Sequence, residues 1–472
     1  MTAPSALTHH DDHEHTAPAR ALSPAERWYW IIDQLSTLNV CARVRIKGDL
    51  TPAALRTALG ALQERHPQLR VAIADTSAHH TGGGPYFVPT DAPIPLREVR
   101  ADGHEQQRWV REVDGHELTA PLDTRRGPLA RAVLITAPDH THDLLLTVAH
   151  CIADGTTALS LLRQWVRLAT TAPHPAPGRD AGAATAAAAA APAHGLAEPF
   201  EALFPPRPPA APPAPSHAPT PDDAGAAAGA GAGEGSVGRL EPERFVPFGR
   251  RRTRMLHRSL SGDDLQSLTL ACKREGTTLH GVLAAALACA VARDAGAAPT
   301  ASFAVGSPVS LRQELRRAVS EDEAGCFVSA LHSVVRYQPD HIWSMARFIN
   351  DDIAARKKLG EQYEVFDLLA AQGPSTVADS EPFVRHFEEH GPFNFFVSNI
   401  GRFDFPAQLG AWQLSGAQFV GGISVVGCLG SSVTTSQGRL AWNFTYIDEA
   451  VSPERAERLA DDTIHTLIAA SR

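Results

Sequence analysis

His150 is the residue whose type and setting are best suited to chemistry. It closes an apolar run within residues 144–162, LLLTVAHCIADGTTALSLL. Strand-forming residues give way there to a tight polar segment with Asp154 and Gly155, and then to an amphipathic helix. A histidine at the mouth of a strand can be held rigidly while its ring faces a cavity. Imidazole titrates near neutral pH and can act as a general base without a large pKa shift. Asp154 can pin the turn, and Gly155 can adopt backbone angles that other residues resist. The same letters also fit a satisfied histidine in an ordinary strand-to-helix turn, so His-x-x-x-Asp-Gly alone leaves both readings open.

Other residues with chemical potential are less well placed. Cys151 adjoins His150, but neighbours along a turn do not bring thiol and imidazole together, and no oxyanion motif supports a thiolate nucleophile. His386 and His390 have the i, i+4 spacing of a zinc pair in HFEEH, yet Phe387 stands where a catalytic glutamate should follow the first histidine. A surface helix is the better account. The tail holding His9, His10, His13 and His15 with Asp11, Asp12 and Glu14 can attract a metal ion, but without an apolar second shell it reads as a disordered tail. No metal site is expected. Gly229 to Gly235 resembles a phosphate loop only in composition, since no strand precedes it, and neither a G-x-S-x-G elbow nor a Walker loop occurs.

Composition bounds the function classes. A chain of 472 residues is too long for one ordinary core and implies two substantial domains. Hydrophobic residues at 43% and charged residues at 20% fit a soluble globular protein. The net charge of -9 argues against nucleic-acid binding. No apolar run is long enough to span a membrane, and residues 1–20 lack the basic and apolar regions of a secretory signal. The six cysteines, Cys41, Cys151, Cys272, Cys289, Cys326 and Cys428, are scattered without C-x-x-C spacing, as expected of thiols in a reducing cytoplasm.

Elements that would position His150 can be read in order. Ser23-Pro24-Ala25-Glu26 is a capping box that predicts a helix to about Leu35. Val40, Ala42, Val44 and Ile46 alternate with Cys41, Arg43, Arg45 and Lys47, predicting a strand with one buried and one wetter face. Thr51-Pro52 starts a helix ending near His66-Pro67, and short strands are expected at 69–74 and 86–88. A helix is expected at 106–118, and a hairpin pairs 128–136 with 143–149, placing His150 at the end of the last strand of a mixed sheet backed by helices. Residues 172–238 are Ala-, Pro- and Gly-rich and read as an interdomain linker in which only 196–204 is expected to dock. Beyond it, Arg250, Arg251, Arg252 and Arg254 lead into a strand ending at Leu260. That basic cluster could meet a phosphopantetheine or coenzyme A phosphate, or simply be a solvated strand entry. Ser261 and Thr278 start two helices. Strands are expected at 301–309, 393–400, 412–419, 424–428 and 440–447, a helix at 343–359, and a closing helix after Ser452-Pro453. The chain therefore divides into a tail at 1–20, a first half at 21–171, the linker at 172–238 and a second half at 239–472.

AHCIADG resembles the HHxxxDG signature of the condensation-domain and acyltransferase superfamily. Its members include chloramphenicol acetyltransferase, nonribosomal peptide condensation domains and polyketide-associated acyltransferases of the phthiocerol dimycocerosyl transferase type, the group to which this chain looks most similar. Further blocks agree in order: LSPAERWYW, GDLTPAALRTALGALQERHPQLR and GPLARAVLI before the motif, then TTLHGVLAAALACAV, SPVSLR and VSNIGRF. Single blocks are weakly specific; their order is specific. The likeness covers almost the whole chain except the tail and the linker.

The resemblance implies an α/β fold with mixed sheets, built as two acetyltransferase-like halves in a V-shaped pseudo-dimer with a channel between them. It also implies an acyltransferase of specialised lipid or polyketide metabolism. The donor would be a thioester on an acyl carrier protein or coenzyme A, the acceptor a small-molecule alcohol or amine, and no cofactor would be needed. His150, the second histidine of the signature, would be the general base. Asp154 would be structural, paired with Arg312 of SPVSLR. Gly155 would permit the turn and the approach of substrate, and Asn399 of VSNIG would serve the oxyanion or support its loop. Two features depart from the pattern: Ala149 replaces the first histidine, and Phe403-Asp404-Phe405 only faintly echoes the DFGWG block of plant acyltransferases. An amide-forming, stand-alone condensation enzyme and a non-catalytic relative that binds a carrier protein are the alternatives.

Overall fold

The structure, a computed structural model, describes residues 20–75, 84–101, 107–171, 196–207, 237–299, 301–425 and 427–471. The histidine-rich tail and most of the low-complexity segment lie outside the described residues. Two large mixed sheets carry the fold, with a small third sheet of Val71–Ala74, Tyr86–Pro89 and Arg20–Ala21 beside the first.

The first large sheet is centred on Asn39–Lys47 and Thr141–Ala149, which pair antiparallel along their full lengths. Ala130–Thr136 and Leu96–Arg100 extend it on one side. On the other side, Trp412–Gly421 pairs antiparallel with Asn39–Lys47, so a strand from the second half of the sequence completes the sheet of the first. The second sheet runs Val328–Arg336, Ser302–Ser310, Phe395–Arg402, Leu429–Ser436, Arg439–Ile447 and Thr253–Leu260, with Val237–Gly238 paired to Ser302–Ser310. Helices Pro52–Arg65 and Gly155–Thr171 cover the first sheet; Leu279–Asp294, Ile342–Leu359 and Pro453–Ser471 cover the second.

Local signals explain the best-placed elements. The Ser23 hydroxyl accepts from Glu26 N while the Glu26 carboxylate accepts from Ser23 N, so the opening helix Pro24–Leu35 begins where its capping box predicts. Thr51, Ser261 and Thr278 likewise accept from the third residue of their helices.

Tertiary context overrode three other expectations. The wetter face of Asn39–Lys47 is confined to its end, at Arg45 and Lys47; Cys41 and Arg43 on the same face are buried, as Val40 and Ala42 are. Being central, the strand is covered on both sides, and Arg43 reaches Asp143 of the neighbouring strand and lies over the Trp109 ring at 4.8 Å. The helix expected at 106–118 begins at Arg108 among the described residues and widens into a π turn over Val113–Glu117. That turn carries the fully buried Glu117, which accepts from Arg131 and Thr147. Residues 424–425 and 427–428 form no strand; pairing starts at Leu429, in the Ser/Thr-rich Leu429–Ser436 that alternation did not mark. Its small side chains suit a central strand crossed closely by others: a Cβ on Gly430 would sit 2.5 Å from the Phe396 ring. Val328–Arg336 and Leu96–Arg100 also lacked a legible signal.

Arg43 and Asp143 are both almost wholly enclosed, and Arg45 adds a second guanidinium at 2.8 Å. Removing one partner of a buried pair strands the other. Asp143→Ala is therefore expected to lower stability by about 3–5 kcal/mol, read from urea unfolding; a loss below about 1 kcal/mol would show that this pair does not hold the sheet centre.

Candidate active site

Thr141–Ala149 delivers His150 to a turn, and Gly155–Thr171 leaves that turn as a helix. The ring lines a cavity of about 750 Å³ whose walls come from both halves of the chain. Trp28, Tyr29 and Ile32 of the opening helix contribute from the first half; Phe366, Phe393, Phe396 and Asn399 contribute from the second. Apolar side chains make up most of the wall, and charged residues such as Glu321, Glu364 and Arg402 also line it.

Two contacts hold the imidazole and one closes its backbone turn. The Tyr29 ring stacks on it with centroids 4.3 Å apart and planes 8° from parallel. Cys326 Sγ lies 3.6 Å from Nδ1. Ala153 N donates to the His150 carbonyl at 3.4 Å, closing the turn. Burial pushes the His150 pKa below its ordinary value, opposed by its own carbonyl and by the Asp154 carboxylate. Burial therefore favours the uncharged ring.

Asp154 ties the turn to the second half. Its Oδ1 accepts from Thr157 N at 2.7 Å, capping the helix, and its Oδ2 accepts from Phe327 N at 2.9 Å. Arg312 Nη2 lies 3.5 Å from Oδ1 and donates to Thr157 Oγ1 at 2.6 Å, while Thr157 Oγ1 donates to Gly325 O at 2.5 Å. Arg312 also donates to Ser320 O and lies over the Phe327 ring at 4.4 Å. The structure thus brings His150, Asp154 and Arg312 into one assembly.

Gly155 does not occupy a left-handed conformation, so special backbone angles are not what the position requires. Its small size matters instead, because a Cβ there would lie 2.5 Å from the Phe419 ring of the crossing strand. Asn399 faces the same cavity, and its Oδ1 accepts from Gly401 N at 2.9 Å, where Gly401 has φ +73°. Ala149 is buried and pairs with Asn39.

Several sequence candidates fall elsewhere. Cys151 is buried, and burial pushes its thiol well above the ordinary range. The thiol that touches His150 is Cys326, from the other half. Arg251 donates to Val246 O and pairs with Glu388, Arg254 pairs with Asp114 at 2.8 Å, and Arg250 reaches Glu449 at 3.4 Å. These three arginines are spent on internal partners and do not line the cavity. His386 and His390 lie on helix Glu381–His390 with their rings stacked at 4.6 Å. Phe200 of 196–204 is buried against Phe327 and Phe366, so that segment docks as expected. Tyr29, Cys326 and Phe419 were missed because nothing in their local sequence records a partner far away in the chain.

Gly155→Ala is expected to lower stability by about 1–3 kcal/mol through overpacking against Phe419. Thermal unfolding of the variant and of Gly155→Ala with Phe419→Leu checks this. Failure of the second change to recover stability would refute the steric explanation.

Comparison with known proteins agrees with this geometry. The family model described as Condensation domain matches residues 19–172, and the model described as Phthiocerol/phthiodiolone dimycocerosyl transferase C-terminus matches residues 249–418. Nonribosomal peptide synthetase kk1B of Curvularia clavata is 33% identical over 155 residues, 32% of this chain and 1% of that protein. Phosphinothricin tripeptide synthetase PhsC of Streptomyces viridochromogenes is 35% identical over 172 residues, 34% of this chain and 15% of that protein. The chain thus spans only a small part of the length of these relatives. Among solved structures, the epimerization domain from the third module of tyrocidine synthetase B superimposes with a TM-score of 0.64 at 14% identity, covering 98% of each chain. Polyketide synthase associated protein 5 from Mycobacterium tuberculosis gives 0.61 at 17% identity, covering 96% of this chain and 99% of that one. Such identities speak to fold alone, and the fold is the pseudo-dimer of two acetyltransferase-like halves. With matching models on both sides of the low-complexity segment, the chain is similar to a condensation domain in its first half and to a dimycocerosyl transferase C-terminus in its second.

Proposed function

We propose that this protein transfers an acyl group from a thioester, carried by an acyl carrier protein or coenzyme A, to a hydroxyl or amine acceptor, with His150 as general base. The observation that carries the reading is an imidazole, clamped on one face and one edge, opening into a cavity built by both halves. A cavity with two contributing walls suits a reaction that must bring two substrates to one base.

In this reading the other ring nitrogen, Nε2, takes the proton from the acceptor O–H or N–H as the acceptor atom attacks the thioester carbonyl. The tetrahedral intermediate collapses, the C–S bond breaks, and the departing sulfur takes the proton back from the imidazolium. No net proton is gained or lost by the enzyme. Asn399 serves both its loop and the oxyanion. Its Oδ1 is committed to Gly401 N, which leaves its amide N–H group as a donor for the carbonyl oxygen that gains charge. Asp154 and Arg312 act on the turn and not on substrate.

The matched dimycocerosyl transferase model supports an alcohol acceptor and specialised lipid or polyketide metabolism. Similarity to peptide synthetases supports a second reading, an amide-forming condensation enzyme with an amine acceptor. Incubation of acyl-thioesters with matched alcohols and amines separates the two by product.

His150→Ala is expected to lower kcat by about 10²- to 10⁴-fold, measured by thiol release; full turnover would overturn the base assignment. Because the active form is the neutral ring, activity is present above its pKa and lost as pH falls through it. Burial lowers that pKa, so the acid limb of kcat/KM is expected below 6.5. A limb above that value would contradict a desolvated base.

A further inference from the structure

The base is held by the two halves jointly, and the second half does so through a sulfur atom. We propose that Cys326 is a positioning residue for His150: its Sγ anchors the Nδ1 edge of the ring whose face is anchored by Tyr29, so that Nε2 is the nitrogen presented to substrate. This rests on the general-base reading.

Geometry supports the assignment from several sides. Cys326 lies between two residues that bind the same turn: Gly325 O accepts from Thr157 Oγ1, and Phe327 N donates to Asp154. The backbone carrying the sulfur is therefore fixed to the motif on both sides of Cys326, and its 3.6 Å approach to Nδ1 follows from that attachment. Tyr29 arrives from the opening helix and stacks almost parallel to the imidazole. A half-turn of the ring about the Cβ–Cγ bond would keep the stack on Tyr29 but put a carbon in place of Nδ1 against Cys326, so the sulfur is the contact that tells the two ring orientations apart.

The chemistry sets the direction of the contact. An imidazole that is to accept a proton at Nε2 must carry its own proton on Nδ1. Sulfur is a weak acceptor, and Cys326 Sγ lies 3.6 Å from that nitrogen. Burial pushes the Cys326 thiol well above its ordinary pKa, so it stays neutral and does not compete as a nucleophile. The titratable groups facing the ring are Tyr29 from the opening helix, Cys326 from the second half and Asp154 from the turn itself, with Cys151 beside Cys326. Tyr29 and Cys326 are both held neutral by burial. A thiol in this position fills the space against the ring and excludes water without adding charge.

The test uses the full chain labelled with ¹⁵N-histidine, the His150 signals being identified by their loss in His150→Ala. In the unsubstituted protein, the nitrogen shifts are expected to show the Nδ1–H tautomer. Cys326→Ala is expected to give a tautomer mixture, a roughly two- to tenfold lower kcat at unchanged KM, and an acid limb moved upward toward 6.5 as water reaches the ring. Cys326→Val fills a similar volume without an acceptor, so should the alanine variant fail to fold it is expected to give the tautomer mixture and the lower kcat with the acid limb unmoved. Unaltered nitrogen shifts and an unaltered acid limb in a folded variant would overturn the proposal, whatever its kcat. The nitrogen shifts are recorded without substrate, so they decide the positioning role separately from whether His150 is the base.

Discussion

The carboxylate of Asp154 is the point on which the site depends. One oxygen caps the helix Gly155–Thr171 and the other takes the amide of Phe327, so a single side chain fixes both the end of the turn and the segment that faces it. Both groups are buried, and a buried carboxylate is stable only when its lone pairs are used and its charge is balanced. Arg312 supplies the balance while spending its other donors on Ser320 and Thr157. The turn that presents His150 therefore has no freedom to open unless the two halves separate.

The crossing strand reinforces the same junction by a different force. Backbone hydrogen bonds between Trp412–Gly421 and Asn39–Lys47 make part of the second half a structural member of the first sheet. Phe419, borne on that strand, then packs against Gly155 at the start of the helix. Helix cap, sheet edge and aromatic packing thus meet within one turn. The division of the chain at 239 describes its order in sequence, whereas the sheets share strands across it.

The cavity inherits its electrostatic character from this construction. Packing the two halves together half-buries His150 in the cavity wall, which favours the neutral ring. Arg312, the arginine beside the turn, is already engaged with Asp154. A half-buried base beside a carboxylate already paired with an arginine is suited to taking a proton only in the course of a reaction.

What could be read in the letters was whatever depends on neighbours close in sequence. Capping residues at Ser23, Thr51, Ser261 and Thr278, the apolar run ending at His150, and the Asp154–Gly155 turn all follow from local backbone chemistry. Ordered blocks along the chain carried the family resemblance as well. The strand Leu429–Ser436 escaped because buried serines and threonines have no apolar alternation, and the central strand Asn39–Lys47 was misjudged because its second cover comes from far along the chain. Cys326 was equally hidden: only folding brings it across 176 positions to His150. Sequence alone determined the family resemblance, the candidate base and the turn that presents it. Tertiary structure decided what holds that residue, because contacts between distant segments arise from packing and leave no periodic trace in either segment.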